Sequence, residues 1–197
     1  DVAGVAIELA AGCGPIRNVV DLGTGSGAIG LSMAFELPVA GTTVWLTDAS
    51  EDALDVARAN TAGLGRHGAN VRIAAGDWFD ALAHLPRFDV IVSNPPYVAV
   101  GSSRIDRAVT EWEPSEALFA GDDGLNDIRT IVAGAADRLR PGGWLVIEHG
   151  YDQGDAVSVL FGEHGLIDIE TQRDAAGLDR VTIGRRPDND VCLPYPA

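Results

Sequence analysis

Short apolar strands and helical patterns alternate along most of this chain, and the alternation fails only near its end. Asn18–Leu22 (NVVDL) reads as a strand and runs into Gly23–Gly27. A helix follows through Ile29, Met33, Ala34 and Leu37 and stops at Pro38. Thr43–Thr47 (TVWLT) is a second strand leading to Asp48, and Ser50 is placed to cap a helix with Leu54, Val56 and Ala57 inside. Val71–Ala74 and Phe88–Ser93 read as the third and fourth strands. After a long connection, Leu125–Leu139 is helical, and Pro141-Gly142-Gly143 turns into the strand Trp144–Glu148. A helix over Gln153–Glu163 precedes two strands, Leu166–Thr171 and Val181–Arg185, that only a polar loop separates.

This order predicts the α/β class: a doubly wound, Rossmann-like, seven-stranded and mostly parallel sheet with helices on both faces. Parallel neighbours need a crossover element, which the last two strands lack, so they are predicted to pair as a C-terminal antiparallel hairpin. Residues 1–186 form the expected domain, and 187–197, without periodicity, read as a tail. The connection Tyr97–Gly124 far exceeds the ~4–6 residues usual for such loops, which suggests a lid or binding segment.

Composition narrows the partners. With 46% hydrophobic and 22% charged residues, 197 residues suit one globular domain with a single core. Fourteen basic against 29 acidic residues give a formal charge of −15, which repels phosphate backbones unless positive charge is concentrated locally. Arg185-Arg186 is the only adjacent basic pair, so nucleic acid is a disfavoured partner. Cys13 and Cys192 stand near opposite ends and the histidines are scattered, so neither zinc nor a disulfide framework is indicated. Buried and tail thiols, respectively, are the expectation. No apolar run approaches the ~18 residues a membrane span needs, and no signal peptide is visible. A cytoplasmic protein is expected.

The glycine loop, Asp21-Leu22-Gly23-Thr24-Gly25-Ser26-Gly27-Ala28-Ile29-Gly30, points to an adenosine-containing ligand. Glycines at a strand-to-helix turn let the backbone approach a ligand and present N–H groups at a helix N-terminus. Gly25, Gly27 and Gly30 satisfy the dinucleotide spacing, with Asp48 where a ribose would be held. Gly23, Gly25 and Gly27 equally satisfy D-x-G-x-G-x-G, the loop of S-adenosylmethionine-dependent enzymes. The loop alone leaves both open.

The end of the fourth strand separates them. Asn94-Pro95-Pro96-Tyr97 follows a buried strand at the carboxyl edge of the sheet, where open α/β sheets bind ligands. Methylating an amide or exocyclic amine requires a delocalised nitrogen lone pair to face the incoming methyl group. Two acceptors fixed on its N–H hydrogens achieve this: the side-chain oxygen of Asn94 and the backbone carbonyl of Pro95. Proline rings fix φ and hold the preceding residue extended, so neither acceptor wanders. Tyr97 offers a flat face to a planar amide or base. A dehydrogenase has no use for this arrangement.

With Asp21–Gly27, Asp48, Gly76-Asp77-Trp78-Phe79, Asn94–Tyr97, Glu113-Pro114, Ala117-Leu118 and Gly124-Leu125, the chain resembles the HemK family. These are class I protein-glutamine methyltransferases acting on the Gly-Gly-Gln loop of peptide-chain release factors. Leu145–Gly150 and the segment Arg173–Val181 resemble the C-terminal strands of that family. The resemblance implies S-adenosylmethionine as donor and S-adenosylhomocysteine as product. It assigns the donor to Asp21, Gly23, Thr24, Gly25, Ser26 and Gly27 (methionyl side), Asp48 (ribose), and Asp77 and Trp78 (adenine). Asn94 would touch donor and substrate, while Pro95, Pro96 and Tyr97 would shape the glutamine pocket, making Asn94, Pro95 and Tyr97 the catalytic set. The Tyr97–Gly124 connection would cover that pocket. Members usually carry an N-terminal helical domain gripping the release factor, for which there is no room before Val19, and donor binding is expected not to need it. Alternative substrates are a ribosomal-protein glutamine or an adenine N6 in nucleic acid.

Other residues take blander readings. Glu148 and His149 are expected to form a hydrogen-bonded pair bracing the lid, since amide methylation needs no histidine base. Trp45 and Trp144 are expected in the core, Trp112 against the lid, and Asp122-Asp123 in a solvated turn.

Overall fold

The computed structural model describes residues 1–98, 121 and 123–188. Readings that fall on Trp112, Glu113-Pro114, Ala117-Leu118, Asp122 and Cys192 therefore lie outside the described residues. Seven strands form one sheet: β1 (Arg17–Leu22), β2 (Thr42–Asp48), β3 (Val71–Ala75), β4 (Phe88–Ser93), β5 (Leu139–Glu148), β6 (Ile167–Arg173) and β7 (Asp179–Arg185). Their order is β3-β2-β1-β4-β5-β7-β6. Strands β1 to β5 run parallel, and β7 is antiparallel to β5 and β6, as the missing crossover predicted.

The two-residue period of the strands divides the core between the sheet faces. Val19, Val44, Val90, Val92 and Val146 point to one side, against helices α1 (Val2–Gly12) and α2 (Ala28–Glu36). Val20, Leu22, Ile91, Leu145 and Ile147 point to the other, against α4 (Asn126–Arg138) and α5 (Gly154–Glu163). Helix α3 (Glu51–Gly63) sends Ala57 into the first cluster. Every residue of β1 and β4 is buried, as expected for central strands of a parallel sheet covered on both faces.

Two elements depart from the expected boundaries. Helix α1 carries no turn or breaker signal in the sequence, but Val2, Ala6 and Ala10 recur every fourth residue and bury one face on the core. Asp1 caps it, its side chain accepting from the Gly4 N–H at 2.7 Å. Strand β5 starts at Leu139, not Trp144, because Pro141-Gly142-Gly143 is a bulge within the ladder. Gly142 N–H donates to the Arg186 carbonyl at 3.0 Å and Arg186 N–H to the Gly143 carbonyl at 2.8 Å. Trp45 and Trp144 are partly buried against the two clusters, whereas Val56 is 49% exposed rather than inside. Cys13 is half-buried, its Sγ donating to the Leu9 carbonyl at 3.3 Å, and burial pushes the thiol pKa up. Among the described residues no helix is long and apolar enough to cross a membrane.

A buried carboxylate ties the lower ends of the central strands together. Asp89 Oδ2 accepts from the Asn18 N–H at 2.6 Å, and Arg140 Nη1 donates to Oδ1 and Oδ2 at 3.0 and 2.9 Å. Removing the carboxylate strands a buried N–H and a partly buried guanidinium. The substitution Asp89→Ala is therefore expected to lower unfolding free energy by about 2–3 kcal/mol in urea, with an unchanged m-value. A loss under about 0.5 kcal/mol contradicts that role.

Candidate active site

The carboxyl ends of β1, β2, β3 and β4 surround a cavity of about 970 Å³. It opens where the strand order reverses, since β1 feeds leftward to β2 while β4 lies on its other flank. The turn after β1 forms one wall. Gly23, Gly25 and Gly27 take φ of +66°, +54° and +89°, a left-handed backbone that side chains resist. This is the physical reason for glycine at alternate positions.

Asp21 holds this turn from beneath. Its Oδ2 accepts from the Thr24 hydroxyl at 2.6 Å and from the Gly30 N–H at 2.9 Å, so one oxygen ties strand, loop and helix α2. Oδ1 is buried without a partner. Burial pushes the carboxyl pKa up to about 6, with the two hydrogen bonds opposing and the Asp48 charge reinforcing the shift. Asp21 thus stands behind the cavity wall, not on it. Gly30 allows this close approach: a Cβ there would lie 3.1 Å from Asp21 Cβ and would also run into the Leu46 side chain.

Asp48 ends β2 on the wall. Its Oδ2 accepts from the Gly25 N–H and its Oδ1 from the Ser50 N–H, both at 2.9 Å, leaving lone pairs on each oxygen for ligand hydroxyls. Ser50 caps α3 as expected, accepting from Ala53 N–H at 3.2 Å. Asn60, unmarked in the sequence reading, donates to the Ser26 carbonyl at 2.9 Å and fastens the loop to α3. Val56, the misplaced apolar residue of α3, lies at the cavity rim. Asp77 and Trp78 line the far side, with Trp78 at φ +39°, a conformation rarely taken by a bulky residue. The indole packs against the loop: a Cβ on Gly23 would lie 3.2 Å from Trp78 Cζ3.

The turn after β4 faces this loop. Its entrance is fixed by the Ser93 hydroxyl, which donates to the Leu22 carbonyl at 2.7 Å. Asn94 is exposed on the cavity wall with Pro96, while Pro95 is buried and Tyr97 packs onto the second core cluster. The cavity wall thus brings together Gly23, Thr24, Gly25 and Ser26 with Asp48, Asp77, Trp78, Asn94 and Pro96. Asp21, Gly27, Tyr97 and the buried Pro95 ring stand behind it.

Glu148 and His149 do not pair. Consecutive strand residues point to opposite faces, and His149 turns inward to Thr182, with Nε2 2.8 Å from its hydroxyl. Nδ1 lies 2.9 Å from the Gly150 carbonyl, which only accepts, so Nδ1 carries the proton and Nε2 accepts from Thr182. The chain continues through Thr171 at 2.9 Å and Ser158 at 3.2 Å. Burial lowers the His149 pKa, in keeping with a neutral ring, and raises that of Glu148.

One charged wall residue carries no sequence signal. Asp127, in the first turn of α4, lines the cavity with Asp77, and burial first and the Asp77 charge second push its carboxyl pKa up. It lies outside every recognisable motif. Among the described residues the wall carries three aspartates, Asp48, Asp77 and Asp127, and neither lysine nor arginine. Such a field favours a ligand with positive charge over a pyrophosphate.

The raised Asp21 pKa gives a stability test. The native carboxyl holds its proton more tightly than the unfolded one, so stability falls as pH rises from 3.8 to about 6 and the full cost stands above that window. In Asp21→Asn the difference from wild type should change across this interval and level off above it, by urea unfolding at each pH. A pH-independent difference contradicts the burial argument.

A family model described as the methyltransferase small domain matches residues 7–111. Among curated proteins, the chain is 49% identical over 172 residues to the release factor glutamine methyltransferase of Xylella fastidiosa, covering 87% of this chain and 60% of that protein. It is 46% identical over 169 residues to the protein of that name from Neisseria gonorrhoeae, covering 85% and 60%. The chain thus spans about three-fifths of the length of these relatives. Among solved structures, a methyltransferase from Pyrococcus furiosus superposes with a TM-score of 0.65 at 19% identity, covering 94% of this chain and 83% of that one. The 16S rRNA N2 G1207 methyltransferase of Thermus thermophilus, in complex with AdoMet and guanosine, gives 0.60 at 25% identity, covering 94% and 43%. The matched model takes in the glycine loop, Asp48 and the Asn94 turn, and the chain belongs to the methyltransferase small domain family.

Proposed function

We propose that this protein transfers a methyl group from S-adenosylmethionine to the side-chain amide nitrogen of a glutamine in the Gly-Gly-Gln loop of peptide-chain release factors, in the cytoplasm. The observation that carries the reading is Asn94, exposed on the wall of the same cavity as Gly25 and Asp48. The curated relatives at 46–49% identity bear the name of that activity.

The residues fit the donor. Gly23–Gly27 would take its methionyl part, Asp48 has free lone pairs for ribose hydroxyls, and Asp77 and Trp78 flank the space for adenine. Three wall carboxylates suit its net positive charge. When bound, the donor supplies a methyl group on a sulfonium, reactive enough that no strong base is required. Asn94 Oδ1 and the Pro95 carbonyl accept the two amide hydrogens of the substrate and aim the nitrogen face at that methyl. Much of the acceleration then comes from orientation. The nitrogen loses its proton to water once alkylated, so neither His149 nor Glu148 is needed as a base.

A nucleic-acid amine is the weaker reading. The chain carries −15 formal charge, and Arg185, half of its one adjacent basic pair, is ion-paired with Asp168 at 2.8 Å and Asp188 at 3.0 Å. Little positive charge is left on that side to meet a phosphate backbone.

The reaction is tested by incubating the full-length protein with labelled donor and purified release factor, then mapping the label by mass spectrometry. Label on the loop glutamine, absent in a Gln-to-Asn loop variant of the factor, is expected; label elsewhere or on RNA overturns the substrate. Asn94→Ala is expected to lower kcat by about 10²–10³, the effect of removing one transition-state hydrogen bond, with donor Kd near wild type. Retained turnover contradicts the mechanism.

A further inference from the structure

Resting on the amide-methylation reading above, we propose that Gln153 is a positioning residue for that reaction: one side-chain amide clamps the exit of the Asn94–Tyr97 turn to the start of helix α4. Gln153 stands at the N-cap of α5 but does not cap it with its side chain. Its Nε2 instead donates across the fold to the carbonyls of Tyr97 (3.0 Å), Asp123 (3.2 Å) and Gly124 (3.4 Å). Its Oε1 accepts from the Gly150 N–H at 2.8 Å. An amide nitrogen carries two hydrogens, so the three carbonyls share two donors. The orientation of the amide follows, since the reverse would set its oxygen against three other oxygens and its nitrogen against an N–H.

These carbonyls lie at the two ends of the long connection, one on the motif turn and two just before α4. Gly124 shows how closely the ends approach. Its φ is +73°, and a Cβ there would lie 2.4 Å from the Tyr97 carbonyl oxygen and 2.8 Å from Gln153 Nε2. The turn is therefore fixed at both ends, by Ser93 on Leu22 at its entrance and by Gln153 on Tyr97 at its exit. The same amide sets the position of α4, whose first turn brings Asp127 to the cavity wall.

The consequence falls on rate more than on donor affinity. The glycine loop and Asp48 hang from β1, β2 and α3, and none of their hydrogen bonds involves Gln153. Loosening the turn exit shifts the directions of the Asn94 and Pro95 acceptors, and misplacement of about an ångström costs up to about a hundredfold in rate.

The test uses two variants of similar length in the full-length protein. Gln153→Glu puts an acceptor where donors are needed, and Gln153→Met removes hydrogen bonding. Both are expected to lower kcat for glutamine methylation by about 10- to 100-fold, with donor Kd within about threefold of wild type. Backbone amides of Asn94, Tyr97 and Leu125 should exchange hydrogen faster than in wild type, while those of Thr24 and Gly25 stay unchanged. Wild-type kcat in both variants overturns the proposal, as does a parallel loss of kcat and donor binding, which marks a general structural role. Should wild type transfer no methyl to release factor, the assigned reaction fails by itself; unchanged exchange at Tyr97 and Leu125 in the variants then overturns the clamp independently.

Discussion

The Asp21 carboxylate, shut away from water, holds the glycine loop in its ligand-ready shape. One of its oxygens receives the Thr24 hydroxyl and the Gly30 N–H, so the end of β1, the loop and the first turn of α2 are tied together. Burial acts against the charge and pushes the pKa to about 6, a destabilisation the fold carries to keep the loop fixed. Everything at the carboxyl edge is referred to that unit. Asp48 hangs on Gly25, Asn60 on Ser26, Thr24 N–H on the Thr47 carbonyl at 2.8 Å, and Trp78 packs over Gly23.

The site then divides along the sheet. Strands β1 to β3 and α3 carry the loop, Asp48 and Asp77, the part suited to a nucleoside with a positive charge. Strands β4 and β5 with α4 and α5 carry Asn94, Asp127 and Gln153, the part that presents the amide in the proposed reaction. Ser93 joins the halves by donating to Leu22, directly where β4 meets β1. Separate substitutions can therefore impair affinity for one ligand or alignment of the other.

Much of this was readable from residue order. The missing crossover before Val181 predicted the hairpin, and the alternate glycines with Asp48 and Asn94 located one cavity. What escaped had no periodic or motif signal. Helix α1 is apolar apart from Glu8, so its buried face stands out only through packing. The bulge at Pro141-Gly142-Gly143 looks like an ordinary turn until the Arg186 backbone pairs with it. His149 and Glu148, adjacent in sequence, are separated by strand geometry that sends one of them to Thr182. Asp127 and Gln153 reach the site only through tertiary contact, so no local pattern marks them.

A wall of three aspartates with neither lysine nor arginine favours a positively charged sulfonium nucleoside over a pyrophosphate-bearing dinucleotide. Titration calorimetry of the full-length protein measures this preference directly, with S-adenosylmethionine in the syringe and NAD added as competitor. Donor binding that NAD does not displace, even at about a thousandfold excess over the donor Kd, is expected. Displacement by NAD, or NAD binding as tight as the donor's, would contradict it.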